Sequence, residues 1–250
     1  MLDWLLETLF PIMPGVQNST SPSKLWVDPR FADDFGLVGV GGDLEPERLL
    51  LAYRQGIFPM YEEGEPICWW SPNPRAIFEL HGLRVSRRLA RTIRSGKFRV
   101  TMDRCFTEVM IGCADRREGT WITREIIEAY TRLHQLGYAH SVEVWSEGRL
   151  VGGVYGVAIG GFFSGESMFH RVRDASKVAL FYLFEHLLRR GFNLFDTQIL
   201  NDHTAALGAV TIPRREYLAR LREALKMPVS FGPTPLNQPE PINPPVPERV

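Results

Sequence analysis

Cysteine is scarce in this chain of 250 residues: Cys68, Cys105 and Cys113 are odd in number and show no CxxC spacing. That excludes a disulfide framework and a thiolate zinc site, and it fits a reducing compartment. The six histidines have no metal-ligand spacing either, so His140, His170 and His203 read as hydrogen-bonded structural residues and no metal is expected. Long apolar runs are missing too. No stretch reaches the roughly 18 uncharged residues of a membrane span. The N-terminal apolar cluster around Trp4 and Phe10 carries Asp3 and Glu7 and no leading Lys or Arg, unlike a signal peptide. A soluble, cytoplasmic protein is expected. GxxxxGK[ST], HExxH and GxSxG are absent, which removes P-loop nucleotide hydrolysis, zinc proteolysis and the hydrolase nucleophile elbow. So is any surplus of one charge: 29 Lys plus Arg balance 29 Asp plus Glu, which argues against a nucleic-acid-binding coat over the whole surface.

What the chain does contain begins with a local exception to that neutrality. Arg84, Arg87, Arg88, Arg91, Arg94, Lys97 and Arg99 follow one another with no acidic residue among them. Ser86 is placed to cap a helix with Leu89 and Ile93 on one face and the arginines around the rest. Such a stripe is either a solvated helix face or a phosphate-binding patch. With 44% hydrophobic residues there is material for one large core or two small ones.

Pro46 heads a helix that stops at Gly56, and a Pro-rich connector follows to Arg75. Thr123 caps a helix ending at Gly137, and 141–145 alternates as a strand does. A Gly-containing strand over 150–158 lies between turns at Glu147-Gly148 and Gly160-Gly161. An amphipathic helix over 175–190 is closed by Gly191, a short strand covers 194–199, and a basic helix covers 214–226. This order predicts an α+β protein. A small α/β N-terminal domain with the basic helix takes 36–95, after an irregular lead-in over 1–35 with a short helix near Trp4, and a larger domain takes 96–227. The tail, 228–250, holds eight of the 18 prolines and is expected to be extended or disordered.

Two strings place polar groups inside apolar strands. Glu166 sits among aromatics in Phe162-Phe163-Ser164-Gly165-Glu166-Ser167-Met168-Phe169, and Asp196 and Gln198 share one strand face at i, i+2. A carboxylate in such a place is either satisfied by buried partners or used for chemistry.

The chain resembles the bacterial leucyl/phenylalanyl-tRNA–protein transferases over 37–221. The strings that carry the resemblance include Gly39-Val40-Gly41-Gly42-Asp43-Leu44, Tyr53-Arg54-Gln55-Gly56-Ile57-Phe58-Pro59, Trp69-Trp70-Ser71-Pro72-Asn73-Pro74-Arg75, Gly119-Thr120-Trp121-Ile122-Thr123 and Gly165-Glu166-Ser167-Met168-Phe169. Ala139-His140-Ser141-Val142-Glu143, Ala175-Ser176-Lys177 and Asp202-His203-Thr204 match as well. The resemblance implies an acetyltransferase-like (GNAT) C-terminal domain. It implies transfer of Leu, Phe or Met from aminoacyl-tRNA to proteins beginning with Arg or Lys, which marks them for N-end rule degradation. The donor is already an activated ester, so no cofactor is implied; the task is to place an unprotonated α-amine against the ester carbonyl.

By the same resemblance Asp196 and Gln198 are the catalytic pair, with Asp196 either a general base or an electrostatic positioner. Glu166, Ser167, Met168, Phe163, Met60, Val154 and Tyr53 are implied around the substrate. Trp121 and Trp70 are the aromatics chosen to stack the terminal adenosine, against a reading of both as core. Arg84, Arg87, Arg88, Arg91, Arg94 and Lys97 would hold acceptor-stem phosphates. This sequence departs from the family pattern at Met60, where Trp is usual, at Thr197, usually Cys, and at Val154, often Met, which puts the preference among donors in doubt. A monomer is expected. The alternatives are a coenzyme-A-dependent N-acyltransferase, for which 168–174 lacks the glycine-rich pyrophosphate loop, a non-catalytic tRNA-binding module, and a peptidoglycan aminoacyltransferase.

Overall fold

The computed structural model describes residues 26–116 and 119–232; the expected helix near Trp4 and the tail beyond 232 lie outside them. Ten strands and seven α-helices are found among the described residues. Strands β1 (Leu37–Val40), β2 (Phe58–Pro59) and β3 (Cys68–Trp70) form a small antiparallel sheet in the order β1-β3-β2, with helix α1 (Pro46–Arg54) between β1 and β2. Pro46 stands in the first turn of α1, where its missing N–H costs nothing. Gly56 follows at φ +77, and a Cβ there would lie 2.9 Å from the Tyr217 ring, so only glycine turns the chain at this point.

The larger sheet has seven strands in the order β10-β4-β9-β8-β7-β6-β5. They are β4 (Arg75–Phe78), β5 (Arg99–Met102), β6 (Ala139–Ser146), β7 (Arg149–Ile159), β8 (Phe162–His170), β9 (Leu194–Gln198) and β10 (Val210–Ile212). Every neighbouring pair is antiparallel except β8 and β9, which are joined through helix α5 (Ala175–Arg190) and run parallel. Helix α2 (Arg87–Arg94), with Ser86 Oγ accepting the Leu89 N–H as its spacing predicted, packs near α5. Helices α3 (Phe106–Ala114) and α4 (Arg124–Gln135) pack against each other and the sheet, α3 on β7 and β8 and α4 on β6. Thr123 caps α4 as expected. The last two helices are α6 (Asp202–Leu207) and α7 (Arg214–Ala224).

The apolar residues divide into two clusters. One holds α1, α3, α4 and the small sheet, with Tyr53, Trp69 and Tyr130; the other holds α5, with Val154, Phe163 and Phe195. Two sequence expectations need correction. Residues 75–94 do not close off the N-terminal unit: β4 is part of the large sheet, second from its β10 edge and hydrogen-bonded to β9 and β10, and α2 packs with α5. The start of the tail is also not loose. Phe231 is 2% exposed, stacked on His140 and Phe163, and its carbonyl accepts a hydrogen bond from His186.

Candidate active site

Strands β8 and β9 pair only over Phe162↔Leu194, Phe163↔Phe195 and Ser164↔Asp196. Beyond that point they part, and a fork opens at the carboxyl ends of two parallel strands, the place where open α/β sheets receive ligands. Asp196 lies at its base. It is 0% exposed, and Arg75, 1% exposed, meets it with two parallel hydrogen bonds, Nε to Oδ1 at 2.9 Å and Nη2 to Oδ2 at 2.7 Å. The Tyr217 hydroxyl donates to Oδ2 at 2.9 Å, and the Gln198 N–H donates to Oδ1 at 3.0 Å. Arg75 gives a further hydrogen bond to the Gly56 carbonyl at 3.0 Å, and its guanidinium lies over the Phe58 and Tyr217 rings. Burial works against the Arg75 charge, but the Asp196 carboxylate outweighs it and holds the guanidinium above its ordinary value.

The consequence for Gln198 is conformational. Held by its own N–H on Asp196, it takes φ +56, the left-handed region that non-glycine residues seldom enter. Its side-chain Nε2 donates to Ser164 Oγ at 2.7 Å and to Glu166 Oε1 at 3.1 Å. Both amide hydrogens are then committed, and the amide oxygen is left as the acceptor.

Glu166 sits on a bulge. Tyr155 pairs with Ser167 and Gly156 with Gly165, so Glu166 opposes nothing on β7. A Cβ on Gly156 would come within 2.2 Å of the Ser164 carbonyl, so the crossing requires glycine. Burial pushes the Glu166 carboxyl up to about 7; hydrogen bonds with Ser164 and Tyr53 pull the other way. Around it stand three buried tyrosines. Tyr53 and Tyr130 share a 2.5 Å hydrogen bond, and the Tyr155 hydroxyl is buried without a partner among the described residues. Burial holds all three phenols well above their ordinary range, with the Glu166 charge adding to it.

The other expected residues distribute unevenly. Ser167 is half-buried, its Oγ accepting from Arg116 at 2.8 Å, and Met168 is half-buried against the α5 cluster. Val154 and Phe163 are in the core of that cluster, an apolar wall behind Met168 rather than a surface. Met60 and Trp121 are half-buried against the opposite cluster. Trp70 differs from the expectation: it is 7% exposed and its indole N–H donates to the Met60 carbonyl at 2.7 Å, so it braces the small sheet and leaves little face for a base. Arg84, Arg87, Arg88, Arg91, Arg94 and Lys97 are all exposed at the surface; among the described residues Arg88 pairs with Asp174, the residue at the N-cap of α5.

Sequence reading missed Arg75, Tyr217, Tyr130, Tyr155 and Ser164. A signal for Arg75 did exist. A lone cation heading the apolar run Ala76-Ile77-Phe78 must find a buried anion, and Asp196 in its apolar strand has the matching need. That the two meet across 121 positions is not visible in the sequence.

Two family models match this chain, one described as leucyl/phenylalanyl-tRNA protein transferase over 77–222, the other as the N-terminal domain of that protein over 42–73. Leucyl/phenylalanyl-tRNA–protein transferases of Escherichia coli O1:K1 and of Shigella dysenteriae serotype 1 (strain Sd197) are each 56% identical to it over 189 residues, 75% of this chain and 81% of theirs. The chain belongs to the leucyl/phenylalanyl-tRNA protein transferase family. It is an aminoacyltransferase that moves an amino acid from tRNA to protein.

Solved structures give distant likenesses. L-PGS from Bacillus licheniformis is 18% identical, with a TM-score of 0.33 over 65% of this chain and 55% of that one. A GCN5-related N-acetyltransferase from Kribbella flavida is 11% identical, with a TM-score of 0.37 over 66% and 60%. The boundary between the two family models, at 73–77, falls where the small sheet ends and β4 enters the large one. Among the described residues of this transferase no helix is long and apolar enough to cross a membrane.

Proposed function

We propose that this transferase moves leucyl, phenylalanyl or methionyl groups from tRNA to the N-terminal α-amine of proteins that begin with Arg or Lys, marking them for N-end rule degradation, and that it does so as a cytoplasmic monomer. The observation that carries this reading is the Arg75-held Asp196, which fixes Gln198 at the fork with its amide oxygen unspent. An amide oxygen there accepts an N–H of the incoming α-amine and aims its lone pair at the ester carbonyl, so positioning supplies most of the catalysis. Asp196 acts as a positioning residue, since all of its hydrogen-bonding surface is occupied.

The preference for cationic N-termini finds support in a groove of about 520 Å³ lined by Tyr61, Glu63, Glu65, Thr123, Arg124, Glu125 and Glu128, in which Arg124 is paired with Glu128 at 2.8 Å and three carboxylates have no arginine partner among the described residues. Tyr61 adjoins Met60 in the chain and Thr123 lies two residues after Trp121, so Glu63, Glu65 and Glu125 support a site for a cationic side chain near the expected substrate residues. The donor side chain would lie along Met168, with Val154 and Phe163 behind it; Val154 in place of a longer Met leaves room for Phe as readily as for Leu. Trp121 stacks the terminal adenosine, contributing about 1–3 kcal/mol, and the α2 arginines hold acceptor-stem phosphates.

Transfer of radiolabelled leucine from Leu-tRNA to a peptide beginning with Arg, against the same peptide acetylated at its N-terminus, tests the reading. Label is expected only on the free peptide. No transfer from Leu-, Phe- or Met-tRNA to that peptide would overturn it.

A further inference from the structure

Two carboxylates stand at the fork, and their surroundings differ. Asp196 has four hydrogen bonds on its two oxygens, from Arg75 Nε and Nη2, the Tyr217 hydroxyl and the Gln198 N–H, and no exposed surface. An amine can reach it only by displacing the guanidinium or the tyrosine. Gln198 touches the acceptor but has no basic atom: an amide oxygen at neutral pH receives a hydrogen bond and does not keep the proton. Glu166 differs from both. The bulge at Gly165 releases it from the β7 ladder, it keeps partial exposure, and it is joined to Gln198 by the 3.1 Å bond from Nε2.

We propose that Glu166 is the proton acceptor of the transfer reaction, taking the proton that the acceptor's α-ammonium must lose, while Gln198 orients the amine and Asp196 fixes Gln198. The proposal rests on the transferase reading above. In the step, the ammonium gives one proton to the Glu166 carboxylate, and the freed nitrogen lone pair forms the C–N bond to the ester carbonyl carbon. The tetrahedral intermediate then breaks its C–O bond to the ribose. The ribose oxygen leaves with the proton held by Glu166, the nitrogen gives its second proton to the same carboxylate, and that proton passes to water. The products are an amide, a ribose hydroxyl and one released proton, with Glu166 ionised again.

The groups facing Glu166 suit this task. Tyr53 on α1, Tyr130 on α4 and Tyr155 on β7 are buried phenols that stay protonated and can donate to the carboxylate. The Tyr155 hydroxyl has no partner among the described residues. Asp196 on β9 disfavours the Glu166 charge and Arg75 on β4 favours it, while Ser164 on β8 offers a hydrogen bond. Arg116 lies near Tyr155, engaged with Ser167. The balance leaves the carboxyl near 7, within about one unit of a free α-amine at about 7.7–8.0. Transfer between groups so matched is nearly level, which is what a general base requires.

Single-turnover transfer from Leu-tRNA to a peptide beginning with Arg, both saturating, is to be followed from pH 5.5 to 9 for wild type, Glu166→Gln and Glu166→Asp, with thermal unfolding verifying that each variant is folded. Wild type is expected to rise through a midpoint near 7 and level off. Glu166→Gln is expected to lose about 100-fold or more at pH 7.5, to lose that midpoint, and to climb only with the amine's own ionisation. Glu166→Asp is expected to restore an ascending limb with a displaced midpoint. A folded Glu166→Gln enzyme that keeps the wild-type limb, at whatever rate, overturns the proposal. Wild type that transfers nothing overturns the reading beneath it instead.

Discussion

Arg75 and Asp196, far apart in sequence, meet side by side on β4 and β9, joined by hydrogen bonds of 2.9 and 2.7 Å and sealed from water. A buried ion pair of this kind contributes little net stability, but losing one member strands the other, at a cost of about 3–5 kcal/mol. Its effect here is positional. The pair anchors the end of β9 to β4 and, through Gly56 and Tyr217, to the small sheet and α7.

Replacing Arg75 by Ala is therefore expected to destabilise the protein by about 3–5 kcal/mol and to abolish transfer. Arg75→Lys, which keeps the charge and loses the fork geometry, is expected to fold with a smaller loss of stability and still transfer poorly, because Gln198 is no longer held in place. Urea unfolding followed by tryptophan fluorescence, alongside the transfer assay, separates the two effects.

Gln198 carries strain for the sake of its side chain. At φ +56, glycine is the residue the backbone prefers, and the left-handed conformation costs a non-glycine residue of the order of 1 kcal/mol. Gln198→Gly is expected to leave the melting temperature unchanged or raise it slightly while transfer falls by about 100-fold. A fall in stability matching the fall in activity would mean that the amide side chain is structural.

Glu166 should set a pH dependence on stability whose sign follows from its raised carboxyl. The folded form keeps its proton to about 7, whereas the unfolded chain releases it near 4.3. The stabilising contribution is thus complete below about pH 4.3 and is lost as pH rises to 7, amounting to about 3–4 kcal/mol. Glu166→Gln, which cannot ionise, is expected to gain stability relative to wild type at pH 8 and to lose that advantage at pH 5, measured by calorimetry at the two values.

The surface arginines of α2 predict a salt dependence. Replacing Arg87, Arg91 or Arg94 singly by Gln should weaken aminoacyl-tRNA binding similarly for every tRNA body, and lower the slope of log K against log salt by about one for each phosphate left without its cation. Filter binding across a salt series checks this. Arg88 is paired with Asp174 at the α5 cap, and its replacement is expected to lower thermal stability as well.

Much of the local architecture was legible in the residues because it rests on short-range physics. Ser86, Thr123 and Gly191 mark the ends of α2, α4 and α5 where the capping rules put them, and the alternation and turns of β6 and β7 follow from their side chains. Asp196, Gln198 and Glu166 were also noticeable in sequence, as polar groups inside apolar strands. What no window of sequence could reveal was assigned by long-range pairing. Strand β4 joins the large sheet because Arg75 needs a buried anion, which Asp196 on β9 provides. Trp70 becomes a brace because its N–H finds the Met60 carbonyl, and Phe231 is buried because His140 and Phe163 leave a space for it. The sequence by itself determined which elements form and which polar groups must be paired or used, since burying an unpaired charge is costly wherever it occurs. The tertiary structure alone decided which carboxylate is locked and which keeps partial exposure, because the lock on Asp196 is closed by Arg75 from 121 positions away.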